Sequence, residues 1–351
     1  MRNKAELLES MISEIDLQKE YLGGEKIETI YFGGGTPSVL SADETGRILE
    51  HIYRLFDVSG EPEITLEANP DDMAVDYLQD LRKRGINRLS IGIQSFFDDD
   101  LKWMNRRHDA GQSIKSIEAA KRAGYDNISI DLIYGIPGME ISKWYKNLEM
   151  AFSSDIQHFS AYHLTLENKT VYAHKVKKGM LQEPDEKSGS LQFELLTEMA
   201  AKMGFSHYEI SNFFLPGFIS RHNTSYWKQE PYLGIGPSAN SYNKISRQWN
   251  VRNNSLYIKE ISKGIIPSTY EMLSADDLYN EYILTSLRTA WGADENIIKE
   301  NFGAGKYDHF IKQAEALIQK GKLEKNGNSF IIRPSWKFFA DGIISDMFFT
   351  G

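Results

Sequence analysis

The stretch IETIYFGGGTPSVL, residues 27–40, sets an apolar, β-rich run directly before three consecutive glycines, Thr36 and Pro37. Glycine loses more conformational freedom on ordering than any other residue. Three glycines in a row therefore indicate either a tight turn or a place where a ligand must touch the backbone. The glycines alone leave both interpretations open.

Four more β-rich runs follow in the first half of the chain: EITLEA (63–68), RLSIGIQS (88–95), NISIDLIYG (127–135) and HFSAYHLTL (158–166). Helix-like stretches lie between these runs. Ser41 with Glu44 three residues later predicts a capping box, and Gly85 and Gly124 predict helix C-terminal ends. The alternation of strands and helices predicts a parallel sheet, either open or closed into a barrel.

Polar or glycine residues lie at the end of each predicted strand or directly after it: Gly33 to Thr36, Glu67, Asn69, Gln94, Ser95, Asp131 within the strand that ends at Gly135, Thr165 and Glu167. Singly, such residues have structural interpretations, for instance Glu67 as a turn residue and Gln94 as a partner for buried backbone. In a β/α barrel, however, the carboxyl ends of the strands build the active site. Five strand ends of this kind predict a shared pocket.

Composition limits the classes of function. The 351 residues are 41% hydrophobic and 25% charged, which is ordinary for a globular protein. A net charge of −9 disfavours a general nucleic-acid binder. No apolar run approaches the length of a membrane span, and the N-terminal residues lack the pattern of a signal peptide, so we expect a cytoplasmic protein.

Eight motifs in a fixed order carry a family resemblance: YFGGGTPS, TLEANP, RLSIGIQSF, NRRH, SIDLIYGIPG, YEISNF, RHNTSYW and YLGIGPSANS. The set resembles the radical S-adenosylmethionine (SAM) enzymes related to oxygen-independent coproporphyrinogen III oxidase. The HNxxYW pattern, residues 222–227, favours the HemW-type haem chaperones over the oxidases. The resemblance implies an α/β fold, with a partial parallel β/α barrel of TIM-like, radical SAM type over residues 1–245. It also implies a C-terminal helical, winged-helix-like domain over residues 246–351.

The resemblance also implies a site for SAM. It assigns seven positions to SAM: Gly34, Gly35, Thr36, Glu67, Gln94, Arg106 and Asp131. A zwitterion with ribose hydroxyls needs charge-assisted donors and carboxylate acceptors, which these residue types supply. Taken alone, Arg106 has a second interpretation as a surface ion-pairing residue in the charged run NRRHD.

Histidine is a common axial ligand of haem iron, and His222 is the haem candidate because of its motif. Its alternative is a histidine that hydrogen-bonds between a loop and the barrel. The family resemblance implies a haem-acceptor protein as the partner. His108 and His163 are weaker candidates for haem.

The sequence departs from the family in lacking the CxxxCxxC motif that holds a 4Fe-4S cluster. It contains no cysteine, so we expect no cluster ligands and no SAM cleavage from this chain alone, and only weak SAM binding. The helix predicted around Leu8, Met11, Ile12 and Ile15 also lacks the strand that the layout predicts before it. The chain is interpreted as N-terminally incomplete or as a paralogue that lost radical chemistry.

Three functions follow from this sequence. The first is a haem chaperone of the radical SAM type. The second is a cluster-free module that binds a small molecule, and the third is coproporphyrinogen oxidation in tetrapyrrole biosynthesis.

Overall fold

The computed structural model of the chain describes residues 4–167 and 170–350. The chain divides into two compact units that do not follow its order. Unit 1 comprises Met1–Ile30, Leu40–Glu63 and Arg221–Gly351, and unit 2 comprises Tyr31–Val39 and Ile64–Ser220. The predicted division at residue 245 stays a prediction.

A seven-stranded sheet in the order β1-β2-β3-β4-β5-β7-β6 is the largest sheet of the described residues. Its strands are β1 (Ile27–Phe32), β2 (Val58–Ala68), β3 (Arg88–Gln94), β4 (Ile128–Tyr134), β5 (His158–His163), β6 (Ser206–His207) and β7 (Asn212–Phe214). Strands β2 to β5 pair in parallel, and β7 pairs antiparallel with both β5 and β6. The predicted partial parallel β/α barrel is confirmed.

The helices of this half lie between the strands, as the alternation predicts. They are α1 (Lys4–Leu17), α2 (Ala42–Leu55), α3 (Val75–Lys83), α4 (Asp98–Trp103), α5 (Ala110–Arg122), α6 (Ile141–Ser153), α7 (Val171–Lys177), α8 (Glu186–Lys202) and α9 (Arg221–Trp227). Ser41 and Glu44 form the predicted capping box of α2. Gly85 and Gly124 follow α3 and α5 with φ of +108° and +90°, so both helix ends are confirmed.

The core of the sheet lies along β3 and β4. Leu89, Ile91, Ile130 and Leu132 are fully buried. Parallel strands that are buried on both faces typically have such continuous apolar sequences. Two predicted strand limits were wrong by three residues or more: β2 begins at Val58 instead of residue 63, and β5 ends at His163 instead of residue 166.

The rest of the chain forms smaller sheets and helices. The elements are β8 (Asn240–Tyr242), β9 (Ser246–Asn250), α10 (Asn254–Ile261), β10 (Ser268–Met272), α11 (Ala275–Leu287), β11 (Ala293–Asp294), α12 (Glu295–Gln319), β12 (Leu323–Asn326), β13 (Ser329–Ile332) and α13 (Ala340–Ser345). The described residues contain two three-stranded sheets here, β10-β9-β8 and β11-β13-β12. A hairpin that turns at Asn326-Gly327 joins the antiparallel strands β12 and β13. No helix among the described residues is long and apolar enough to cross a membrane.

A buried carboxylate, Glu14, holds α1 within unit 1. Its side chain is fully buried, and it accepts hydrogen bonds from Tyr257 Oη at 2.5 Å, Asn250 Nδ2 at 2.6 Å and the Gly236 backbone N–H at 2.7 Å. Gln18 Nε2 donates at 2.9 Å from the next turn of α1. A buried carboxylate can stay charged only where hydrogen-bond donors of this kind surround it.

Replacing Glu14 with alanine should destabilise the chain by about 3–5 kcal/mol, because three buried donors from distant segments lose their common acceptor. Urea denaturation followed by circular dichroism measures this loss. The control is Glu9→Ala on the same helix, which removes an exposed ion pair with Arg47 and should change stability by about 0–1 kcal/mol. Equal losses in the two variants would contradict the role of Glu14.

Candidate functional site

The glycine run after β1 forms an open loop in unit 2. Gly34 and Gly35 have φ of +73° and +64°, a left-handed backbone that side chains rarely adopt. A β-carbon at either position would have no atom within 4 Å. The loop therefore presents bare backbone to open space, which is what a small ligand held by backbone groups requires.

Gly33 is needed for a different reason, since its surroundings are crowded. A β-carbon there would lie 2.5 Å from Cε1 of Tyr31 and 2.9 Å from Oε1 of Glu67. Real β-carbons do not approach other atoms so closely, so a side chain at this position would push both groups away. Close packing thus requires glycine at residue 33, and left-handed backbone favours glycine at residues 34 and 35.

Glu67, near the end of β2, ties this loop to the sheet. Its Oε1 accepts from Tyr31 Oη at 2.8 Å, and its Oε2 accepts from the Gly34 backbone N–H at 3.1 Å. Burial raises the pKa of Tyr31 far above its usual range, and the neighbouring Glu67 raises it further. The phenol therefore keeps its proton and remains a donor. Glu67 is half-buried and keeps part of its surface accessible.

Gln94 and Arg106 lie together over Gly92. A β-carbon at Gly92 would be 2.8 Å from Gln94 Nε2 and 3.3 Å from Arg106 Nη2. Gln94 ends β3 with φ of +66°, next to a register shift between β3 and β4. Arg106 donates to Asn69 Oδ1 at 2.9 Å, and burial lowers its pKa below the usual range.

Asp131 lies on β4, where its register partner on β5 is Ser160. Burial is the main cause that raises the pKa of Asp131 to about 6, and the charge of Glu67 adds to the rise. The hydrogen bond with Ser160 opposes the rise most, followed by the charges of Arg88 and Arg106. At neutral pH the carboxylate is ionised but loses that charge easily.

Six of the seven predicted SAM positions lie together in unit 2: contacts or charges link Gly34, Glu67, Gln94, Arg106 and Asp131, and Gly35 adjoins Gly34 in the loop. The seventh, Thr36, is half-buried and stands before a short 3₁₀ turn, Pro37–Val39, with its carbonyl accepting from the Val39 N–H at 3.2 Å. The set offers open backbone, carboxylates and a guanidinium. That donor set fits a zwitterion with ribose hydroxyls.

An iron–sulfur cluster does not fit the residues present. The sequence has no cysteine, and no group of three or more His, Asp or Glu side chains in the described residues could hold a metal. Thiolates are the usual ligands of such clusters.

His222 belongs to unit 1, where it lies on α9. Its Nδ1 is 2.9 Å from Thr29 Oγ1, and its backbone N–H donates to Glu63 Oε1 at 2.9 Å. The ring of Tyr226, one helical turn later, meets the imidazole edge-on at 4.9 Å between centroids. His222 is half-buried.

The two weaker histidines lie in unit 2. His108 is buried, with its Nε2 3.1 Å from the Ile93 carbonyl, and burial lowers its pKa. His163 packs against Tyr134 at 5.2 Å between ring centroids.

Several pairings within the site escaped sequence reasoning. Tyr31 and Asn69 hold Glu67 and Arg106, while Thr29 and Glu63 hold His222. Asn69 was already among the polar strand-end residues predicted to line the pocket, but its pairing with Arg106 was not predicted. The other pairs are 36 residues or more apart in the sequence, and nothing local in the sequence marks them.

Comparisons with known proteins bear on this site. The model of the Radical SAM superfamily matches residues 8–151. The "Heme chaperone HemW" of Bacillus subtilis (strain 168) is 32% identical over 324 residues, covering 92% of this chain and 85% of that protein. The protein of the same name from Lactococcus lactis subsp. lactis (strain IL1403) is 41% identical over 218 residues. That match covers 62% of this chain and 58% of the Lactococcus protein.

A solved structure shares the fold. "Coproporphyrinogen III oxidase (HemN) from Escherichia coli", described as a radical SAM enzyme, matches with a TM-score of 0.82 at 21% identity. The match covers 99% of this chain and 84% of the oxidase. At that identity the likeness establishes the architecture and not the reaction.

Because of Asp131, the free energy of unfolding should fall as the pH rises from about 4 to about 6. Its pKa is raised from 3.8 to about 6 in the folded chain, so over this range the unfolded chain ionises first. Below pH 4 both states are protonated, and above pH 6 both are ionised. The full effect is up to about 3 kcal/mol.

The measurement compares urea denaturation of the wild type and Asp131→Asn from pH 4 to pH 7. The variant cannot titrate at this position, so wild type should lose stability relative to it over that range. A difference between the two that does not vary with pH would contradict the raised pKa.

Proposed function

Since this chain belongs to the HemW family of radical SAM proteins, we propose that it binds haem and passes it to an acceptor protein. The relatives are named haem chaperones, and the HNxxYW pattern of residues 222–227 is the feature of this chain that supports the same role. The proposed place of action is the cytoplasm.

The fixed imidazole of His222 is the observation that carries the proposal. Haem iron is commonly held by one imidazole nitrogen, while the other nitrogen donates to an oxygen that orients the ring. Thr29 Oγ1, 2.9 Å from Nδ1, supplies such an oxygen. In the tautomer that donates from Nδ1, the lone pair lies on Nε2, which is then the ligand atom.

The backbone around His222 is also fixed. Glu63 is buried and accepts the N–H groups of Arg221 at 3.0 Å and His222 at 2.9 Å, which satisfies the start of α9. Tyr226 is 43% exposed and stands beside the imidazole, so its ring can cover part of a porphyrin face. A histidine whose ring orientation is already fixed, with an aromatic ring beside it, can bind a large apolar ligand such as haem.

Haem titrated into the wild-type chain should bind at about one equivalent, and His222→Ala should show a weakened or shifted Soret band because it loses the axial imidazole. Thr29→Val should weaken binding less, since the ligand remains but its ring is no longer oriented. Absorbance titrations with a fixed haem stock measure both effects.

The matched control is His174→Ala, which removes an exposed histidine from α7. It should leave the titration unchanged and so correct for haem adsorbed on the surface. If the curves of wild type and His222→Ala superimpose, His222 is not the ligand, and its bond to Thr29 is only structural.

The second part of the proposal is that the pocket in unit 2 carries the protein side of a SAM site, which binds SAM only weakly without the cluster. Members of the radical SAM superfamily bind SAM and a 4Fe-4S cluster, and the cluster chemistry is the cofactor's own. In this chain Gly34 and Gly35 offer backbone to the amino-acid part, and Arg106 offers a donor to its carboxylate. Glu67 and Asp131 offer acceptors to the ribose, and Thr36 and Gln94 complete the set.

Calorimetry with SAM on this chain should show weak or undetectable binding, because no iron holds the amino and carboxylate groups. Each 1.4 kcal/mol of lost contact weakens affinity about tenfold. Micromolar affinity would show that the protein residues alone suffice. Asp131→Asn is the comparison that reports whether any measured heat arises at this pocket.

A cluster-free small-molecule module is the remaining alternative, and the family membership does not favour it over the chaperone. Oxidation of coproporphyrinogen is not favoured either, since HNxxYW points to the chaperone branch. Sequencing upstream of the Met1 codon would separate these functions, because an in-frame CxxxCxxC motif would argue against the cluster-free module.

A further inference from the structure

Strand β10 forms one edge of the sheet β10-β9-β8 in unit 1. Five consecutive residue pairs join it to β9, from Ser268 opposite Asn250 to Met272 opposite Ser246. The sheet order places no strand of the described residues on its other side. Every residue from Thr269 to Met272 is exposed, so solvent reaches this edge along nearly its full length.

The hydrogen bonds at the two ends of β10 show which of its backbone groups face outward. The Val251 N–H donates to the Pro267 carbonyl at 2.9 Å, and the Leu273 N–H donates to the Ile245 carbonyl at 3.0 Å. In an antiparallel pair, residues alternate between bonding to the neighbouring strand and facing away from it. The odd-numbered residues therefore bond to β9, whereas Tyr270 and the even-numbered residues beside it point their backbone groups away from the sheet.

The free edge lacks the usual protection against pairing with another strand. Native edge strands are commonly interrupted by proline, lysine or a bulge. β10 has the sequence STYEM, with Glu271 as its charged residue, and its register with β9 has no shift. Tyr270 and Met272 are 75% and 61% exposed and share one face of the strand, since they lie two residues apart. Open backbone groups thus lie beside exposed apolar side chains, and this combination favours binding of another strand.

The pattern of β10 fits a second copy of itself in the antiparallel direction. With Tyr270 opposite its own counterpart, the outward-facing residues of each strand meet those of the other, so both backbone hydrogen bonds of the central pair can form. Glu271 then lies opposite Thr269 of the other copy, and the two glutamates do not face each other directly. Met272 of each copy lies opposite Ser268 of the other.

Charges on either side of the strand favour the same direction. Lys259 and Lys263 precede β10, and Asp276 and Asp277 follow it. An antiparallel pair brings the lysine end of one copy beside the aspartate end of the other, whereas a parallel pair would bring like charges together. Lys263 and Asp276 also form ion pairs within their own copy, so these charges set the direction of pairing more than its strength.

We propose that two copies of this chain associate through antiparallel pairing of β10, centred on Tyr270, and form one continuous sheet across a two-fold axis. The strand is short and the interface is small, so the dimer should be weak, with a dissociation constant of about 10–100 µM. The association requires neither haem nor SAM, so it is tested on the ligand-free chain.

A cysteine at position 270 tests the register directly. The chain has no cysteine, so Tyr270→Cys contains a single thiol. Opposite residues that exchange hydrogen bonds have Cα atoms about 5.5 Å apart, a separation that a disulfide spans. Oxidation at about 100 µM chain should yield a disulfide-linked dimer on a non-reducing gel. The control is Met180→Cys, a similarly exposed position in unit 2 (66%), which should yield far less because only random collisions join it.

Two lysine substitutions at neighbouring exposed positions should act in opposite directions. Tyr270→Lys places like charges opposite each other across the axis and should weaken the dimer about tenfold. Thr269→Lys adds the same charge but places it opposite Glu271 of the other copy, so it should tighten the dimer about threefold. Sedimentation velocity over a dilution series measures both dissociation constants, and circular dichroism checks that each variant is folded.

Two outcomes would overturn the proposal. The first is a wild-type chain that stays monomeric up to about ten times the expected dissociation constant, with no more cross-linking at position 270 than at position 180. The edge would then be left to a segment of another protein. The second is a dimer that responds alike to Tyr270→Lys and Thr269→Lys, which would show that the copies associate through another surface.

Discussion

The shape of the predicted SAM pocket depends on one carboxylate, Glu67. It accepts from a phenol on β1 and from a backbone N–H in the glycine loop, so strand and loop are fixed by the same side chain. The crowding that results is the reason why Gly33 carries no side chain. Without this pair of bonds, two successive left-handed residues would have no reason to hold a single conformation.

The charge of Glu67 also acts on ionisable groups at the ends of other strands, because it raises the pKa of Asp131 on β4. Two carboxylates, Glu67 and Asp131, share a part-buried region with the guanidinium of Arg106, and burial disfavours the charge on both Asp131 and Arg106. A ligand with its own positive and negative groups would stabilise all three charges at once.

Much of the fold could be predicted from local patterns. The limits of β1 and the capping box at Ser41 depend on residues within one element, and both appear in the structure as predicted. The extension of β2 to Val58 could not be predicted, since Gly60 and Pro62 usually argue against a strand. The end of β5 at His163 is set by neighbouring strands and not by its own apolar residues.

The parts of the site that sequence reasoning missed share one property, which is pairing at long range. Tyr31 and Glu67 are 36 residues apart, and Thr29 and His222 are 193 apart. The burial of Glu14 could not be predicted for a different reason: an acidic residue on an amphipathic helix normally lies on the solvent-exposed face. Only the fold shows that unit 1 surrounds it with donors.

The Glu14 contacts have a consequence for how the chain is made. Its partners Gly236, Asn250 and Tyr257 follow it by 222, 236 and 243 residues. At about 5–20 residues per second, translation leaves α1 without these partners for roughly 10–50 s. During that time its apolar face and its carboxylate are outside the ribosome together, so α1 depends on solvent or on a holding factor until the last third of the protein emerges.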